Sequence, residues 1–139
     1  MIILDTNVLS EPLRKAPDGT VLAWLDAQPK ASLFLTSINM GELLAGMEIM
    51  PEGKRKALLA EALHHMFTSM FSGRVLPFEE NAARAFGSII RKARASGTGI
   101  GLADAQIAAV ALANGFSVAT RDVSPFMASG VHVINPWLS

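Results

Sequence analysis

The chain has 139 residues, enough for one ordinary domain with a sizeable core, and half of them are hydrophobic, with a mean hydropathy of +0.35. No apolar run reaches the roughly 18 residues of a membrane span, and the lack of cysteine excludes disulfides, a thiolate nucleophile and thiolate-ligated zinc. Twelve basic residues balance twelve acidic ones, which argues against a general nucleic-acid coat protein and leaves polyanion binding to a local patch or to metal ions.

Residues 2–5 read as a short buried strand. Residues 7–14 read as a short helix, capped by Thr6 or Asn7 and disturbed by Pro12. "DGTVLAWLDAQP" predicts a second helix that stops before Pro29. "SLFLT" (32–36) is a second strand, after which Thr36 or Ser37 caps the helix "INMGELLAGMEIM". From Lys54 to Phe71, Leu59, Ala62, Leu63, Met66 and Met70 follow helical spacing. "RVLPF" (74–78) is strand-like. The stripe Ala82, Phe86, Ile89, Ile90 and Ala93 marks an amphipathic helix over 79–96, with Gly97 past its end. Residues 101–113 form a nearly all-apolar helix ended by Asn114-Gly115. "FSVAT" (116–120) and "VHVI" (131–134) complete the strands. Short apolar strands alternating with helices predict a single α/β domain over 1–139, its parallel sheet covered on both faces as three α/β/α layers. Ligands of such sheets bind at the carboxyl ends of the strands.

Four carboxylates stand in unusual places. Asp5 ends a buried strand, Asp122 ends another, and Asp104 interrupts a helix that is apolar nearly all round. Glu42 shares a helical row with Ile38, Ala45 and Ile49, which is costly for an ionised group unless it is paired or metal-bound. Each has an ordinary alternative: a helix cap for Asp5, a first-turn position for Asp104, a turn for Asp122, a side chain reaching water for Glu42. Taken together, they occupy strand ends and helix starts that a parallel sheet brings to one edge. Converging carboxylates stay ionised only if cations neutralise them, and oxygen-only ligands favour Mg²⁺ or Mn²⁺. One or two such ions, roughly 4 Å apart when there are two, suit phosphodiester hydrolysis.

The segments "LDTNVLSE", "SINMGELLAG", "LADAQIAAVALANG" and "VATRDVSPF", in this order and spacing, resemble the motifs of the PIN-domain family, and most closely its VapC- and FitB-like toxin branch. The ending "INPW" also resembles the FitB-like branch. The likeness spans essentially the whole chain. It implies a five-stranded parallel sheet and a Mg²⁺- or Mn²⁺-dependent endoribonuclease, the toxin of a toxin–antitoxin pair. Asp5, Glu42, Asp104 and Asp122 would be its catalytic carboxylates. Asp5 and Asp104 would ligate metal directly, Glu42 and Asp122 directly or through water, while Thr6, Asn7 and Thr120 order the site. The partners implied are an RNA substrate, a small DNA-binding antitoxin and a second toxin subunit. Gly101-Leu102-Ala103 and Gln106 depart from the usual pattern, which bears on target preference.

Other features carry less. His65 falls on a polar helix side with Glu61 and Ser69, "GKRK" (53–56) reads as a solvated face, and Arg121 could face solvent or reach a phosphate. "GTGIG" (97–101) lacks the Lys-Ser/Thr of a phosphate loop. "MIILD" has no basic leader region, so a cytoplasmic location is expected. The rich apolar content anticipates burial against a partner or a second copy. Two competing functions stay open at this level. An aspartate-based phosphatase or phosphoacceptor would want a second Asp at Asn7 or a Lys after the last strand, and neither accounts for Asp104. A non-catalytic binding module would have no need of four acids.

Overall fold

The computed structural model describes residues 1–139. Its centre is a five-stranded sheet: β1 (Ile2–Leu4), β2 (Leu33–Thr36), β3 (Val75–Leu76), β4 (Ser117–Ala119) and β5 (Val133–Ile134). The spatial order is β3-β2-β1-β4-β5 and every pairing is parallel. From β1 the chain first builds outward through β2 and β3, then returns to add β4 and β5 on the other side. The topological switch point therefore lies at β1, where such sheets open a crevice beyond the strand ends.

Seven helices cover the sheet: α1 (Thr6–Ser10), α2 (Gly19–Ala27), α3 (Ser37–Glu48), α4 (Lys54–His65), α5 (Glu80–Ala95), α6 (Leu102–Asn114) and α7 (Val123–Ala128). Alternation along the strands sorts the two cores. Ile3 and Val118 point to one side, where they meet Ile89 of α5, Ile107 and Val110 of α6 and Phe126 of α7. Leu4, Leu33, Leu35 and Ala119 point to the other, where they meet Val8, Leu43, Met47, Leu63 and Met66. The expected three-layer arrangement is thus present.

Local chemistry sets the boundaries, and in several places it differs from the expectation. The first helix is capped by Asp5, whose carboxylate accepts the Thr6 N–H, and not by Thr6 or Asn7; it gives way at Glu11–Leu13 to a 3-10 turn holding Pro12. Asp18 caps α2 by accepting the N–H groups of Thr20 and Val21. The helix expected to run to Phe71 is α-helical to His65 and then widens into a π-helical turn, Met66–Met70. Residues 123–128, too short a stretch to show a helical stripe, form α7. Gly115, at φ +69°, takes the left-handed conformation that ends α6 where Asn114-Gly115 predicted a stop.

On the second core's side, α1, α2 and the end of α4 leave an apolar groove of about 460 Å³. Val8, Leu9, Leu25, Met66 and Phe71 are among its walls.

Candidate functional site

The carboxyl edge of β1 and β4 carries a second hollow of opposite character, about 300 Å³ in volume. Its lining is Asp5, Thr6, Asn7, Ser10, Glu42, Asp104 and Asp122, with no hydrophobic residue. All four carboxylates singled out in the sequence therefore meet, from four separate segments. Asp5 arrives at the end of β1, Glu42 from the second turn of α3, Asp104 from the first turn of α6, and Asp122 from the residue preceding α7.

Asp5 is the fixed point. It is 5% exposed, and its main-chain N–H extends the β1–β4 pairing to the Ala119 carbonyl at 2.9 Å. One carboxylate oxygen accepts the Thr6 N–H at 2.8 Å and the other accepts the Thr120 hydroxyl at 2.8 Å. Thr120, fully buried, in turn accepts the Asp122 N–H through the same oxygen at 3.1 Å. Asp5 is thus both helix cap and cavity wall; the two readings of it do not compete. Asn7 accepts the Arg121 N–H at 3.4 Å, a long bond that ties α1 to the loop after β4.

Glu42 corrects its own argument. Of its row on α3 only Ile38 packs against the core, while Glu42 itself and Ala45 are exposed and Ile49 is 85% exposed, so no burial penalty singles it out. What holds it at the cavity is Thr6, whose hydroxyl donates to the Glu42 carboxylate at 2.8 Å.

Asn39 is the organising residue that the sequence reading missed. It is fully buried. Its carbonyl oxygen accepts both the N–H and the hydroxyl of Thr36, and its own N–H donates to the Thr36 hydroxyl oxygen. The remaining amide group donates to the Thr6 hydroxyl oxygen at 3.1 Å and reaches Asp5 at 3.5 Å. The signal was available: Asn39 stands at the third position after the Thr36 cap, where a capping box places a residue that reaches back. Ser10 was also missed. It lines the cavity and donates to the Thr6 carbonyl.

The carboxylates feel one another. Burial raises the Asp5 pKa above its ordinary value, against the lowering effect of the Thr120 and Thr6 hydrogen bonds, with Glu42 and Asp122 repelling as well. Asp104 is pushed up to about 6, first by burial and then by the negative charges of Asp5, Glu42 and Asp122. A divalent cation fits this chemistry, since it would remove the repulsion and meet only oxygen donors. No trio of carboxylate or imidazole side chains forms a ready-made ligand set.

Fold and site together define an α/β domain with an acidic cavity at its switch point. Residues 2–126 match the PIN domain, and the chain belongs to that family. It is 48% identical to a VapC ribonuclease, Y4jK of Sinorhizobium fredii, over 99% of this chain and 98% of that one. It is 43% identical to toxin FitB of Neisseria gonorrhoeae over 99% of each. The solved structure of FitAB bound to an IR36 DNA fragment matches with a TM-score of 0.94 and 42% identity, covering 99% of this chain and 96% of that one. No helix is long and apolar enough to cross a membrane.

Proposed function

We propose that the chain is a metal-dependent endoribonuclease and the toxin of a toxin–antitoxin pair, with Asp5, Glu42, Asp104 and Asp122 as its catalytic carboxylates. The observation that carries this reading is the meeting of those four acids in a cavity without a single hydrophobic wall. Kinship to a chain named VapC ribonuclease supplies the substrate class. Kinship to toxin FitB and to the FitAB–DNA structure supplies the partner, a small DNA-binding antitoxin. A cytoplasmic homodimer is the form in which we place it.

When bound, Mg²⁺ or Mn²⁺ would supply charge neutralisation at the phosphate and a coordinated water made more acidic than bulk water. Asp5 and Asp104 would be its direct ligands, and Glu42 and Asp122 would hold it directly or through water. The chain's own contribution is order. Thr120 and the Thr6 N–H fix both oxygens of Asp5. Asn39 orients the Thr6 hydroxyl, which in turn steadies Glu42. Asp104, pushed up to about 6 by burial and by its acidic neighbours, would be held in its ionised form by a bound cation.

The test is cleavage of single-stranded RNA by purified protein with Mg²⁺ or Mn²⁺ and with a chelator. Asp104→Asn, which removes a proposed direct metal ligand, is expected to abolish metal-dependent cleavage while the protein stays folded. Cleavage by Asp104→Asn at the wild-type rate would overturn the assignment.

A further inference from the structure

The acidic cavity leaves unexplained how a polyanion settles beside four carboxylates. It also leaves the "INPW" ending without a role. Both lead to Arg121. Its side chain is exposed, and it sits between Thr120, which holds Asp5, and Asp122, which lines the cavity. Its own N–H is tied to Asn7, another lining residue. An arginine so close to four acids would be expected to collapse onto one of them. It does not: the ion pairs of this chain join Arg14 to Glu11, Lys56 to Glu52 and Arg84 to Glu80. The guanidinium instead lies 5.1 Å from the centre of the Trp137 ring, in cation–π geometry. That ring is presented by the 3-10 turn Pro136–Leu138, whose start is capped by Asn135 accepting the Trp137 N–H at 3.0 Å.

Arg74 provides an internal control. It also stacks on an aromatic ring, Phe71, at 5.3 Å. Its donors, however, are spent on the main-chain carbonyls of Lys30, Leu33 and Met70, so it is a structural staple. Arg121 has the same aromatic seat and keeps its side-chain donors free for a ligand. A seated, unpaired guanidinium is a fork for two phosphate oxygens. Arg121 flanks the cavity without lining it, a place suited to a phosphate neighbouring the one at the carboxylates.

We propose that Arg121, held by Trp137, is the RNA-positioning residue of this site, gripping a backbone phosphate next to the one being cut. This rests on the ribonuclease reading above. The probe is a fluorescent single-stranded RNA of mixed sequence, with binding read by anisotropy on the Asp104→Asn background and cleavage read on otherwise wild-type protein. Arg121→Gln is expected to weaken binding about tenfold, as for one charge-assisted hydrogen-bonded contact. It should also reduce the slope of log affinity against log salt by about 0.7, the value for one phosphate contact on a single strand. In turnover, KM should rise by more than kcat falls. Arg121→Lys should recover the salt slope but only part of the affinity. Trp137→Phe should weaken binding less, and adding it to Arg121→Gln should change nothing further. Unchanged affinity and salt slope in a folded Arg121→Gln protein would overturn the proposal while leaving wild-type cleavage, and so the ribonuclease reading, intact. Loss of antitoxin binding with unchanged RNA binding would overturn it too, by assigning Arg121 to the protein partner. A wild-type protein that neither binds nor cuts RNA would remove both readings together.

Discussion

Helix α1 borders two hollows of opposite kind. Thr6, Asn7 and Ser10 face the acidic cavity, while Val8 and Leu9 face the apolar groove. On the groove side the contacts are non-directional, and stability follows from area removed from water. On the cavity side directional bonds hold Asp5, Thr6 and one oxygen of Glu42, and the carboxylates repel one another. One turn and a half of helix thus divides the work. Its apolar face supplies folding energy, and its polar face supplies an arrangement that the apo protein holds at a cost.

Substitutions on the two faces should separate these contributions. Leu9→Ala, at a site 3% exposed, should have the largest effect on stability, about 2–5 kcal/mol by urea denaturation. A value near zero would mean that the groove side does not carry the fold. Thr120→Val comes next. It strips Asp5 of one donor and leaves the Asp122 N–H without its acceptor, for about 1–3 kcal/mol. Since the Thr120 bond lowers the Asp5 pKa, its loss should raise that pKa further, visible in an NMR titration of the Asp5 carboxyl carbon.

A smaller effect has the opposite sign. The Asp104 pKa lies at about 6 in the folded chain against an ordinary 3.8. Folding therefore favours its protonated form, and the stability of the metal-free protein should fall as pH rises between those values, then level off. Asp104→Asn should flatten this slope, leaving the part due to Asp5, and raise the metal-free melting temperature at pH 7 by a few degrees. Added Mg²⁺ should raise the wild-type melting temperature more at pH 7 than at pH 5. A melting temperature lowered by Asp104→Asn would give Asp104 a structural role. Asp5→Asn should not share this gain, because an amide cannot accept from both Thr6 and Thr120. Ser10→Ala should be smallest, within about 0.5 kcal/mol.

The sequence revealed most of the architecture because its signals were local and periodic. The alternation in "MIIL", the stripe of α5 and the apolar α6 each report burial by neighbours a few positions away. The site was legible at Asp5 and Asp104 because acids at buried positions stand out against such a background. Glu42 was found for a reason the structure withdraws: most of its row is solvent-facing, and only tertiary contact with Thr6 places it. Asn39 escaped because an asparagine after a threonine cap looks like local chemistry; its reach to Thr6 and Asp5 depends on β1 and β2 lying side by side. The π-helical turn had no sequence mark, since its residues continue the stripe of α4 unbroken.

One hydrogen bond also sets a schedule. The Thr120–Asp5 contact spans 115 positions. β1, made first, must wait for β4 before its carboxylate is gripped on both oxygens. A nascent chain stopped before residue 117 would lack β4 and the residues that follow it, and with them Thr120, Arg121 and Asp122. The four-carboxylate cavity, with the threonine that grips Asp5, is therefore complete only once residues 117–122 have been made.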